Sequence, residues 1–161
     1  MTFEGGQPGG KGCDNTNCVS SCPSNWVENE GHCFLWGRTG VKKSWEAAEQ
    51  FCRGEGGHLP SVTSKAINDY LKKSKGVDPI WIGGSDKEEE GVWNWVDCTS
   101  FRNATFTAWA HHQPSSGKDQ HCLELWSSSW NDNVCHKQNN FVCTKKLCSS
   151  GWVHIKKYSL E

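Results

Sequence analysis

QPSSGKDQHCLELWSSSWNDNVC, from Gln113 to Cys135, sets Gln113, Ser115, Asp119, Gln120, Glu124, Asn131 and Asp132 among a proline and two cysteines. Oxygen-bearing side chains at that density, beside the kink enforced by Pro114, suit a hard cation. Calcium takes about six to eight oxygens from carboxylates, amides, backbone carbonyls and water. Trp126 and Trp130 flank the polar run, and two indoles do not both stay in water, so the ligands are expected on a packed platform. The stretch reads as a sugar-binding site built around a metal, with the remaining chain as its support.

At 161 residues the chain has room for one domain with a real core and flanking segments to spare. A net charge of -1 and a pI near 6.6 offer no basic field to nucleic acid or to an anionic membrane surface. No run approaches the roughly 18 apolar residues of a spanning helix, so membrane insertion is not expected. Residues 1–12 carry no apolar signal-peptide core, and the initiating Met and closing Leu160–Glu161 read as added ends, which is compatible with a removed leader.

Ten cysteines, at 13, 18, 22, 33, 52, 98, 122, 135, 143 and 148, place the chain in an oxidising, extracellular compartment, because an even count in a chain of this size implies a disulfide framework. Structural zinc is the weaker reading, since no C-x-x-C pair occurs. The sequon Asn103-Ala104-Thr105 points to secretion as well.

In chain order, residues 1–21 read as an irregular extension tied down by its bridges, residues 22–146 as the domain, and residues 147–161 as a tail. Asn29-Glu30-Gly31 marks the turn of a hairpin between Trp26 and Trp36. Ser44 caps a helix that runs to Cys52, with Trp45, Ala48, Phe51 and Cys52 on one face. A second helix is expected from about Ser64 to Ser74, with Ile67, Tyr70 and Leu71 inward and Gly76 closing it. Ile80 to Gly84, Val92 to Val96, Cys122 to Trp126 and Asn140 to Cys143 read as strands. Between Asp97 and Lys118 there is no periodicity, and loops of that length are usually functional.

The ordered set Cys22, Cys33, Trp45, Cys52, Gly57-His58-Leu59, Trp81-Ile82-Gly83-Gly84, Trp93-Asn94-Trp95, Gln113-Pro114-Ser115, Cys122, Trp130-Asn131-Asp132, Cys135 and Phe141-Val142-Cys143 resembles the long form of the C-type lectin domain over about residues 22–146. The resemblance implies an α+β fold, with two helices flanking twisted antiparallel β-sheets and a long ligand-binding loop. It also implies bridges Cys22–Cys33, Cys52–Cys143 and Cys122–Cys135. Cys13, Cys18, Cys98 and Cys148 are left over, which leaves open three internal pairings or links to another chain in a homo-oligomer.

In sugar-binding members of the family, calcium is held by a Glu/Gln-Pro-Asn/Asp triplet, an acid before the next cysteine, and the Asn-Asp of Trp-Asn-Asp; the same side chains bond vicinal sugar hydroxyls. Carried over, the metal and sugar ligands are Gln113, Ser115, Gln120, Asn131 and Asp132, with Asp119 joining if the loop shifts by one residue. Ser115 and Gln120 replace the usual amide or acid and the usual carboxylate. Calcium affinity rises with anionic ligands, so binding is expected to be weak, at roughly 10⁻⁴–10⁻³ M. The auxiliary calcium position keeps Asp86 and Glu90 but has Ser116 and His121 in place of acids, and Lys87 to Glu90 also reads as a solvated turn. Gln113 leans the preference towards galactose and N-acetylgalactosamine, with Trp126 as the aromatic ring for the sugar's apolar face. Asp132 is taken as a surface ligand that carries no part of the core.

Enzymatic chemistry finds no purchase: there is no Gly-x-Ser-x-Gly elbow, HExxH helix or phosphate loop. Zinc on His111, His112 and His121 would need adjacent histidines to converge, whereas in an extended loop they point apart. The alternative to a glycan ligand is a calcium-independent module of the same fold that binds protein or ice, because function sits in the loop rather than in the scaffold.

Overall fold

Tryptophans and glycines that alternate along short segments build the centre of this molecule. The computed structural model describes residues 17–99, 101, 104–115 and 117–149. The elements are β1 (Val27–Asn29), β2 (His32–Trp36), α1 (Trp45–Gly54), α2 (Lys65–Ser74), β3 (Ile80–Ser85), β4 (Asn94–Trp95), β5 (Cys122–Trp126), β6 (Ser129–Asn133) and β7 (Asn140–Lys146). The strands lie in the order β1-β2-β7-β3-β5-β6, with β4 on β3. All pairs are antiparallel except β3 with β7, where the sheet expected to be antiparallel becomes mixed. A parallel pair needs a long connection, and the chain between Asp86 and Asn139 supplies one.

Helix α1 starts at the serine expected to cap it, with Ser44 Oγ accepting from Ala47 N at 3.2 Å, and Ser64 caps α2 in the same way, its Oγ accepting from Ile67 N at 3.3 Å. Helix α1 buries Trp45, Ala48 and Cys52, but Phe51 sits at the rim and Glu49 is buried in its place. The Glu49 carboxylate accepts from Arg53 Nε, His58 Nδ1 and Leu59 N, each at 2.9 Å, and those three partners offset its desolvation. Beneath the helices lies a core that includes Trp81 and Trp130, both fully buried. Their indole N–H groups donate to Lys43 O and to Asn68 Oδ1, and Trp45 donates to Ile82 O, all at 2.9 Å. Gly83 is glycine because a Cβ there would lie 2.7 Å from Leu59 O and 2.9 Å from Val96 Cγ2.

Two strand boundaries differ from those expected. Val92 is 38% exposed and β4 shrinks to two residues, since Gly91 at φ +83 turns the chain just ahead of it. The polar run 129–133 forms β6, which alternates Trp130 and Asp132 inward. The three implied bridges, Cys22–Cys33, Cys52–Cys143 and Cys122–Cys135, are present, and Cys18–Cys148 adds a fourth. Cys98 is also disulfide-bonded, and no described cysteine is free. Cys13 and Asn103 lie outside the described residues.

The deepest polar group of the sheet is Glu124 on β5, 2% exposed. Its Oε1 accepts from Asn131 and Asn133 at 3.0 Å, and its Oε2 from Asn139 at 2.7 Å and Lys137 Nζ at 2.9 Å. Burial alone would push this carboxyl up, but the four donors, Asn133, Lys137, Asn131 and Asn139, outweigh it and hold the group below the ordinary glutamate range. A folded-state pKa below the unfolded value adds stability that is present above the unfolded value of about 4.3 and is lost as pH falls through the folded one.

Two stability measurements follow from this packing. Removing Cys52–Cys143, whose cysteines are both fully buried, by paired alanine substitution is expected to cost about 2–5 kcal/mol in urea unfolding. Glu124→Ala strands three amides and an ammonium, at a cost of at least about 2 kcal/mol at pH 7. In unfolding at stepped pH, the gap between wild type and Glu124→Gln should be widest near neutrality and narrow below about pH 4; a gap that does not change with pH would contradict the charged network.

Candidate functional site

Strand β6 and the loop that follows Gln113 bring Ser115, Gln120 and Asp132 together. On β6, Asp132 points inward opposite Leu123, and Asn131 lies opposite Glu124 on the other face. Asp132 is 2% exposed, not the surface ligand its sequence context suggests. Its Oδ1 accepts from Ser115 N at 3.0 Å and from Ser115 Oγ at 2.9 Å, which pins the loop to the strand just after the cis Gln113–Pro114 peptide. Ser115 Oγ also contacts Gln120 Oε1. One hydroxyl proton therefore stands between two acceptor oxygens.

Two oxygens of the expected ligands are buried with no hydrogen-bond partner among the described residues: Asp132 Oδ2 and Gln113 Oε1. Leaving such atoms unpaired costs about 1–3 kcal/mol each, and a cation repays that cost for oxygens that only accept. Asn131 gives its Nδ2 to Glu124 Oε1. The donor end of that amide is thereby tied down and its oxygen is the end left for a ligand. Gln113, Ser115, Gln120, Asn131 and Asp132 thus present amide, hydroxyl and carboxylate oxygens with one full negative charge, and this donor set fits calcium.

The remaining expected residues fall elsewhere. Asp119 is exposed at φ +70 and makes no described contact with the cluster. Trp126 ends β5 at 58% exposure, on the Glu124 face and opposite Ser129, and so is open to a ligand. His111 and His112 are exposed, but they do not point apart: His112 at φ +61 turns back and the ring centroids lie 3.8 Å from each other. His121 lies with neither of them.

The auxiliary position is filled by protein. His121 Nδ1 lies 3.0 Å from Asp86 Oδ1 and 3.1 Å from Glu90 Oε2, and Asp86 Oδ2 accepts from Gly91 N at 3.0 Å. Asp86 is buried while Lys87 to Glu90 are exposed. An imidazole nitrogen between two carboxylates is a poor substitute for the oxygens that calcium takes, so this triad does not fit a second calcium. Ser116 lies outside the described residues.

Glu124 is the residue whose role the sequence hid. It stands in the polar stretch as one more oxygen, and only the cross-strand register shows that it orients the Asn131 amide from behind.

Comparison with known proteins agrees with this geometry. The Lectin C-type domain profile matches residues 41–145. Rat asialoglycoprotein receptor 2 is 37% identical over 138 residues, which cover 81% of this chain and 44% of the receptor. The chain therefore spans under half the length of that relative. The trimeric structure of Kupffer cell C-type lectin receptor Clec4f superposes with a TM-score of 0.70 at 34% identity, covering 78% of this chain and 85% of that one. A calcium-independent type II antifreeze protein superposes with a TM-score of 0.72 at 27% identity, covering 80% and 96%. A profile that covers more than half of the chain, joined to the two-helix fold and its bridges, makes this chain a member of the C-type lectin domain family.

Proposed function

We propose that the chain is a secreted, calcium-dependent lectin of weak calcium affinity that takes galactose or N-acetylgalactosamine. The observation that carries this reading is the pair of buried, unpartnered oxygens, Asp132 Oδ2 on β6 and Gln113 Oε1 two residues before the serine that Asp132 holds. When bound, the ion would be held by Gln113, Ser115, Gln120, Asn131 and Asp132 and would supply positive charge to vicinal sugar hydroxyls. This chain's own residues do the rest. Asn131, turned by Glu124, offers its amide oxygen to a hydroxyl. Asp132 holds the loop through Ser115. Trp126 offers an exposed indole face to the apolar side of a sugar ring.

Gln113 supports galactose, as the family resemblance implies, and the relatives named asialoglycoprotein receptors support a glycan ligand. The disulfides support an extracellular setting. The trimeric relative supports self-association, which on this chain would be non-covalent among the described cysteines. A second reading, a calcium-independent module for protein or ice, has the antifreeze structure behind it together with Ser115 and Gln120 in place of stronger ligands.

Retention on galactose resin with calcium, and release by chelator, is the expected behaviour, with half-saturation at roughly 10⁻⁴–10⁻³ M calcium. Retention that survives chelator would remove the metal, and no retention on any sugar would favour the second reading. Because Asp132 is buried, the variant to test is Asp132→Asn, which keeps an acceptor for Ser115 but loses the charge. It should pass through the column while its thermal midpoint under chelator shifts by no more than the equivalent of about 1 kcal/mol.

A further inference from the structure

Beside the loop that carries Gln113 runs an open groove of about 640 Å³, lined by Val92, Trp93, Phe101, Thr107, Trp109 and Pro114 among others. None of its described lining residues is charged. Trp93 and Trp109 meet edge to face at 5.2 Å and Phe101 lies 6.4 Å from Trp109, so the walls are aromatic. Val92, 38% exposed, forms the rim.

One atom of a residue that lines this groove is out of keeping with the rest of the core. The buried indoles of Trp45, Trp81 and Trp130 all donate to a protein oxygen. Trp93 is 7% exposed, yet its Nε1 is buried with no acceptor among the described residues. A buried N–H rarely stays unpaired, and a ligand that brings an acceptor oxygen and otherwise apolar surface would satisfy both features. An uncharged aromatic groove disfavours ionised groups, whose desolvation nothing here would offset. Pro114 belongs both to this groove and to the Gln113-Pro114-Ser115 run of the saccharide site, so a substituent on a sugar held there lies next to it.

We propose that this groove is a subsite for the acyl group of an acylated saccharide, with the carbonyl accepting from Trp93 Nε1 and the alkyl chain covering Val92, Phe101, Trp109 and Pro114. The proposal rests on the saccharide reading above. The same acyl chemistry arises as an amide on the amino sugar or as an ester on the primary hydroxyl.

Two series separate these sources: N-acylgalactosamines from acetyl to octanoyl, and primary-hydroxyl esters of methyl galactoside with the same acyl groups. Affinity should rise at least about tenfold from acetyl to hexanoyl in one series. Val92→Asp, which sets a charge at the rim, should erase that gain and leave methyl galactoside affinity unchanged. Independently of sugar, N-methylhexanamide alone should move the indole Nε1 resonance assigned to Trp93 by its loss in Trp93→Phe. Flat affinities in both series and an unmoved resonance, with methyl galactoside still bound, overturn the subsite alone. No binding of methyl galactoside together with a resonance moved by the amide keeps the acyl subsite and overturns the saccharide reading. An equal gain from an uncharged apolar peptide would overturn the acyl assignment.

Discussion

A single buried carboxylate organises this molecule's working end. Glu124 accepts four hydrogen bonds, two on each oxygen, from Asn131, Asn133, Asn139 and Lys137. A charge that far from water is tolerable only when its lone pairs are satisfied, and here they are. The same bonds join β5 to β6 and to the turn that leads into β7. They also fix which end of the Asn131 amide faces outward. Fold and site therefore share one electrostatic centre, and neither is free to drift without the other.

Around that centre the chain holds fewer anions than the lectins it resembles. At the candidate cage Asp132 carries the single full charge, and Ser115 spends its hydroxyl and its backbone N–H on that carboxylate. At the auxiliary position the His121 imidazole sits between Asp86 and Glu90, where an ion would otherwise be expected. The two positions differ. One keeps unpartnered oxygens; the other has been closed by a side chain. Ligation, where it occurs, is concentrated at the loop that begins with Gln113.

Much of the scaffold was legible because its signals are local or ordered along the chain. Ser44 announced the first helix, the Ile67, Tyr70 and Leu71 stripe the second and Asn29-Glu30-Gly31 the hairpin turn, while the family resemblance carried by the ordered tryptophans and cysteines implied the three bridges. What escaped depends on partners distant in sequence. Strand β6 was missed because the alternation of Trp130 and Asp132 looks polar until Ser115 arrives to satisfy the carboxylate. The burial of Glu49 leaves no local mark, since nothing nearby in the chain reveals that Leu59 N and His58 will meet it. The role of Glu124 needed the register of β5 on β6. Conversely, the family resemblance singled out Trp126 as an open ring, and Trp126 is 58% exposed while Trp130 is buried.

The bond between Cys18 and Cys148 joins the two margins of the described chain, where Val19 pairs with Leu147 and Cys148 N donates to Val19 O at 2.9 Å. Tension applied through segments outside these two cysteines would run along the covalent link from one margin to the other. The sheet and the loop after Gln113 lie within the clamped circuit and off that load path, so tension between those two segments would leave their geometry intact.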